Sequence, residues 1–191
     1  MRPLPPSPKP SQTHHRLGRC LLLCMMFASC VELAEPPPNP TEQLTGLIFD
    51  YRAQNGLPAI PLSPNLSTVA ALHVADLERN PPKGRCNTHS WSASPRWTGC
   101  CYARDHAQAR CMWDKPREIT RGAYSGYGFE IVCWNADRMT AEIAMHCWRR
   151  SAVHHSVILN RGPWRDTTWR ALGIRVSEHY AVPWLGAEPE H

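Results

Sequence analysis

The chain has 191 residues, enough for one domain of ordinary size with its own core. Hydrophobic residues make up 42% and charged residues 19%, which excludes a wholly disordered chain. The formal net charge is +5, but the first 34 residues contribute much of it through Arg2, Lys9, Arg16 and Arg19 against Glu32; the rest is nearly balanced and holds no dense Lys/Arg run, so no nucleic-acid partner is expected.

In chain order, Arg16–Cys30 (RLGRCLLLCMMFASC) places basic residues before a short apolar run that ends in small residues. The run is too short to span a bilayer as a helix and has the form of a secretory signal peptide. Two endings stay open: ordinary cleavage near Ala28–Cys30, or lipidation, since Phe27-Ala28-Ser29-Cys30 resembles a bacterial lipobox that would put a membrane anchor on Cys30. Residues 1–34 are therefore read as a leader, and residues 35–40 (EPPPNP) as a stiff extended linker.

Thr41 is placed as a helix N-cap, followed at helical spacing by Leu44, Leu47, Ile48 and Tyr51, with Gly56 ending the segment. Ser63-Pro64 opens a second helix with Leu66, Val69, Ala70, His73 and Leu77 on one face, stopped by Asn80-Pro81-Pro82. Residues 81–118 read as a long loop that needs covalent pinning or a function. Tyr124–Val132 reads as a turn entering a strand. Asn135 is the expected cap of a third helix running to Arg150, with Met139, Ile143 and Cys147 facing inward. Ala171–Val176 alternates like a strand, and Tyr180–Trp184 is expected to pair with it, with Pro183 at an edge. Helices mixed with antiparallel strands argue for an α+β or layered α-β-α domain.

Of nine cysteines, Cys20, Cys24 and Cys30 fall in the leader region. The other six are Cys86, Cys100, Cys101, Cys111, Cys133 and Cys147, an even set suited to three disulfides. A structural zinc site competes poorly, because no CxxC pair exists and Cys100-Cys101 are adjacent. Sequence leaves the pairing open; Cys133–Cys147 is the expected bridge among the possible ones.

Several stretches resemble the CAP superfamily, the SCP-like proteins that include cysteine-rich secretory, antigen 5 and pathogenesis-related proteins. They are Arg52, Gly56 and Leu57 at the end of the first helix; Ala70, His73 and Asp76 in the second; His89-Ser90; Gly128-Phe129-Glu130; Trp148, Ser151 and His154; Ile158-Leu159-Asn160; and Ala171-Leu172-Gly173-Ile174. The likeness covers about residues 41–186, is of the bacterial type, and surrounds a Cys-rich middle that elaborates the usual loop. It implies a three-layer α-β-α sandwich over residues 41–187 with an antiparallel central sheet, a short tail at 188–191, and an exported protein, secreted or held in the cell envelope. It also implies a cleft of His89, Glu130 and His154, with Ser151 where a second acid usually stands.

Two imidazoles and a carboxylate have the donor types for a divalent ion such as zinc, with His89 and His154 as ligands and Glu130 as ligand or general base. The leading expectation is binding of a lipid, glycan or protein ligand; the alternative is a metal-assisted hydrolase or protease, and a third reading is a structural envelope protein. Ser90 and Ser151 beside the histidines are candidate nucleophiles but lack a G-x-S-x-G setting. His73 is expected in the helix-two interface, His155 and His106 at the surface, and Glu142 with His146 as an exposed helix pair. Trp148 and Trp184 are expected in the core, and Trp91, Trp97 and Trp113 at a ligand.

Overall fold

The computed structural model describes residues 38–190. The leader, its cleavage or lipidation site at Cys30 and the start of the linker lie outside the described residues. No described helix is long and apolar enough to cross a membrane.

Helix α1 (Pro40–Gln54) starts earlier than Thr41 would have it. The Asn39 side chain accepts from the Thr41 and Glu42 amides, while the Glu42 carboxylate accepts from the Asn39 amide, so a complete capping box draws the last linker residues into the helix. Its buried stripe is Leu44, Ile48 and Arg52. Arg52 is satisfied in the interior by donating to the carbonyls of Pro58 and Ile158 and to Asn160 Oδ1. Helix α2 (Pro64–Arg79) is capped as expected by Ser63, whose Oγ accepts from the Leu66 amide, and buries the predicted face. The expected loop at 81–118 contains two short helices, α3 (Ala109–Trp113) and α4 (Lys115–Ile119).

Helix α5 (Ala141–Arg150) is capped by Thr140 rather than Asn135. The amides of Asn135 and Met139 are used instead by the carbonyls of His179 and Glu178. The inward face is Ala141, Ala144, Met145 and Trp148, which leaves Ile143 exposed, contrary to expectation. Ser151 ends α5 and caps α6 (Ala152–Ile158).

The sheet is antiparallel and centred on β4 (Tyr180–Gly186), not edged by it. Strand β3 (Ala171–Val176) pairs along one side, and β1 (Gly128–Glu130) and β2 (Cys133–Trp134) pair in succession along the other. Pro183 thus sits in the central strand. It carries no N–H, and the neighbouring side breaks into two short strands at Ile131–Val132, in register opposite it. The outer side of β3 is covered by Pro61–Ser63.

Alternation along β4 divides the interior into two cores. Ala181 and Leu185 face α1, α5 and α6 with Leu44, Ile48, Met145 and Trp148; Tyr180, Val182 and Trp184 face α2 and the Cys-rich segment with Leu66, Val69, Trp91 and Trp97. On β1, Phe129 packs with the first core, and Glu130 pairs with Trp184. Close approach matters most for the layers at Gly173, where a Cβ would overlap the Leu66–Ser67 peptide of α2, and at Gly128, where one would overlap Pro116 and the Trp184 ring.

Two bridges pin the long segment, Cys86–Cys101 and Cys100–Cys111, with Cα separations of 5.0 and 5.7 Å. The expected Cys133–Cys147 bridge is not formed. Both residues are free thiols, Cys133 buried on β2 with its Sγ directed at the Trp134 carbonyl (3.9 Å) and Cys147 half-buried on α5. Burial, with the neighbouring Cys147 thiol, pushes the Cys133 thiol well up, so it stays protonated. The residues of the expected tail are also anchored: the Tyr124 hydroxyl donates to the Glu188 carbonyl, and the Glu190 carboxylate accepts from Ser63 and Asn65 at the start of α2.

Because the Gly173 contact is with helix backbone, Gly173→Ala should destabilise the domain by about 3 kcal/mol. Urea unfolding checks this, and an unchanged midpoint would contradict the close packing of β3 on α2.

Candidate functional site

The segment CNTHSWS is fastened to α2 by buried polar groups. Asp76, 1% exposed, accepts from the Ser92 amide (2.7 Å), the Ser92 hydroxyl (2.5 Å) and Asn80 Nδ2 (2.9 Å). One turn earlier, His73 Nε2 meets the Ser90 carbonyl at 3.2 Å, and its ring stacks on Trp91 with centroids 4.5 Å apart. Ser90 Oγ accepts from the Tyr102 amide at 2.9 Å, which ties the segment to the residue after Cys101. The Asn87 side chain accepts from the His89 amide in an Asx turn. The His73 and Asp76 positions are therefore scaffold: they fix where His89 stands.

His89 Nδ1 lies 2.6 Å from Glu130 Oε1, joining residues that are 41 apart in sequence. The Glu130 side chain is wholly buried and that of His89 is 22% exposed. The other carboxylate oxygen, Glu130 Oε2, has no protein partner, nor do His154 Nδ1 and His73 Nδ1. Such buried orphans are uncommon and mark places where water or a ligand is needed.

The two site histidines are driven in opposite directions. Burial opposes the charged form of His89, but the negative charge of Glu130 and the hydrogen bond to it prevail, so its pKa is raised. His154 is lowered by burial and by the nearby positive charge of His89, only partly offset by Glu130. His154 is placed by the first turn of α6, where its amide donates to Ser151 Oγ at 3.4 Å. His89, Glu130 and His154 thus share one electrostatic environment, with a direct hydrogen bond between the first two.

The hydroxyls proposed as nucleophiles have structural roles. Ser151 caps α6, and Ser90 is buried between loop strands, where its Oγ serves the Tyr102 backbone. The metal expectation finds no support in the geometry: among the described residues, no three His, Cys, Asp or Glu side chains are grouped to hold an ion, and His89 Nδ1 is engaged by Glu130. Tyr102 is the residue that sequence reasoning missed. Its ring meets His89 edge-on at 5.2 Å, its hydroxyl bonds His106 Nδ1 at 2.7 Å, and burial together with Glu130 raises its pKa. Its position next to Cys101 was the available signal, since a bridged cysteine fixes its neighbours.

His106 is exposed as expected but takes a left-handed backbone conformation (φ 55°) while holding Tyr102. His155 is half-buried rather than exposed, because its Nε2 bonds the Tyr51 hydroxyl at 2.8 Å. Glu142 and His146 are both exposed on α5. Trp148 and Trp184 are fully buried. Trp91 and Trp97 are core residues rather than open platforms, and Trp113 is half-buried beside Tyr127 and Phe129.

No protein-family model matches the chain, and no curated protein matches its sequence. Solved structures do resemble it. An extracellular protein containing a SCP domain from Bacillus anthracis str. Ames aligns over 78% of this chain at 15% identity with a TM-score of 0.54. A cysteine-rich secretory protein from Staphylococcus aureus aligns over 82% at 13% identity with a TM-score of 0.52. An outer surface protein from Borrelia burgdorferi aligns over 78% at 12% identity with a TM-score of 0.50. The chain spans 40% and 41% of the length of the first two proteins and 95% of the third. The mixed helices and antiparallel sheet of this chain are thus those of the SCP, or CAP, fold.

Proposed function

We propose that this is an exported SCP-fold domain, a three-layer α-β-α sandwich, that acts by binding a ligand at His89, Glu130 and His154. The observation that carries the reading is the buried Glu130 carboxylate, held to His89 at 2.6 Å through one oxygen while the other has no protein partner. A hydroxyl or amide of a ligand meets the needs of that site: it donates to an acceptor and accepts from an imidazolium. The polar set therefore suits a glycan or a peptide better than a purely apolar lipid tail. The two cores on opposite faces of β4 support the layered arrangement. Export is supported by the leader-like N-terminal sequence, by the two disulfides and by the description of the neighbouring folds as extracellular or outer surface proteins.

A second reading has a specific observation in its favour. Two histidines shifted in opposite directions around one carboxylate form an acid and base pair, with protonated His89 as the acid and neutral His154 as the base. Hydrolysis of an ester or glycosidic bond by such a pair needs no serine nucleophile and no metal, since a water activated by His154 supplies the attack.

Three outcomes test these readings. In proton NMR titrations His89 should titrate above, and His154 below, the ordinary imidazole value of about 6.5; Glu130→Gln should bring His89 down, and a His89 titration unmoved by that change would sink the pairing. Binding to cell-wall oligosaccharides or a peptide library should rise as His154 loses its proton and fall as His89 loses its own, giving a bell in pH. It should weaken by about tenfold or more in Glu130→Gln. Absence of binding to either class rules out the binding role; turnover of an oligosaccharide or ester that Glu130→Gln abolishes would establish the hydrolase instead. Finally, N-terminal sequencing of protein recovered from outside the producing cell should start beyond residue 1, and an intact Met1 would refute a cleaved leader.

A further inference from the structure

A cleft of about 700 Å³, away from His89, lies between the end of α2 and the bridged segment, within the size range of small-ligand sites. Trp91, Pro81, Pro82 and the bridged Cys86, Cys100 and Cys101 give most of its lining an apolar character, beside the polar Asn80, Ser90, Ser92 and Gln108. Arg79 and Lys83 also line it, and no Asp or Glu does. Both cations are exposed, and among the described residues neither enters an ion pair. An adjoining hollow adds Arg85 and Arg104 against Asp105, and another that shares Arg79, Asn80 and Ser92 includes the buried Asp76, whose carboxylate is held by Asn80 and Ser92.

Trp91 is the aromatic part of this wall. It is 3% exposed and forms part of the wall, yet its indole N–H has no hydrogen-bond acceptor. A Trp N–H is donor-only and is usually paired when buried. Ser92 is committed to Asp76 and Ser90 to the Tyr102 backbone, while Asn80 and Gln108 add polar groups to the lining. The cleft therefore combines apolar surface from Trp91, Pro81 and Pro82 with two exposed cations, Arg79 and Lys83, that enter no ion pair among the described residues.

We propose that this cleft is a second binding site, distinct from the His89 cleft, for a small anionic amphiphile: an apolar body seated against Trp91 and the disulfides, with a carboxylate, sulfonate or phosphate head between Arg79 and Lys83. An apolar body alone leaves the cations unanswered, and a bare anion leaves the apolar floor exposed to water. The two disulfides keep the floor in shape without help from the ligand, so the site is preformed.

The test uses the full chain and two dyes that share one apolar body: anilinonaphthalene sulfonate, which carries the anion, and the uncharged anilinonaphthalene. The sulfonate is expected to bind about tenfold more tightly than the neutral dye and to quench tryptophan emission. An Arg79→Ala/Lys83→Ala double variant should erase that preference while leaving near-ultraviolet circular dichroism unchanged, since both side chains are exposed. Octanoate should displace the sulfonate, and inorganic phosphate at equal concentration should not. His89→Ala should leave dye binding as it was, so failure here and failure of the His89 reading are separable. Equal affinity for the two dyes, a preference that survives in the double variant, or displacement by inorganic phosphate alone would each overturn the proposal.

Discussion

Strand β4 is the constraint on which the domain is built. All seven of its residues are buried, and it is the strand to which each of the other three pairs. Its alternating side chains supply both cores, so any change in its register would exchange Ala181 and Leu185 with Val182 and Trp184 and disrupt the packing on both faces at once. Pro183 at its middle has a further effect. By removing one donor it divides the neighbouring side into β1 and β2, and β1 ends at Glu130. The same imino acid that interrupts the ladder therefore helps to leave the carboxylate at a strand end, where it turns toward the loop from α2.

The site is assembled by polar groups that have left water and so must be matched by protein partners. Asp76 and His73 hold the loop, Ser90 holds Tyr102, and Ser151 positions His154. Asp76, Ser90 and Ser151 have their hydrogen bonds within the scaffold, whereas Glu130, like His73, has one polar atom matched and one not. Burial of a carboxylate is costly, and the raised pKa of His89 is the counterpart of that cost: a proton is retained on the imidazole because the adjacent carboxylate needs the charge. Stability from this pair is complete below the unfolded histidine pKa and is lost as pH rises through the folded one. For His154, lowered by burial, the sign reverses, and stability is lost as pH falls below the unfolded value.

Much of the fold was legible in the sequence where local chemistry and tertiary packing agree. Ser63-Pro64 opened α2 and its apolar face was read correctly, because cap, proline and periodicity all pointed one way. The third helix was misplaced because Asn135, a good cap in isolation, has its amide drawn to the hairpin joining β3 and β4. Ile143 was misassigned for a related reason, since starting the helix at Thr140 shifts its phase to Ala141, Ala144 and Trp148. Helices α3 and α4 are each too short to show a period, so no pattern could reveal them. The pairing of His89 with Glu130 was reached through family likeness, because nothing local links residues brought together by loop and strand. The role of Tyr102 and the actual cysteine pairing depend on three-dimensional proximity that spacing does not encode.

The adjacency of Cys100 and Cys101 counted against a metal site, and it has another consequence. One sulfur reaches back to Cys86 and its neighbour reaches forward to Cys111, so the two covalent rings overlap across a single peptide bond. A backbone nick anywhere between Cys86 and Cys111, including one between the adjacent pair, therefore leaves the two pieces joined by sulfur. The exposed turns of this segment can be cut once without release of either half. The bridged cysteines that line the cleft would remain joined to α2 on one side and to α3 on the other.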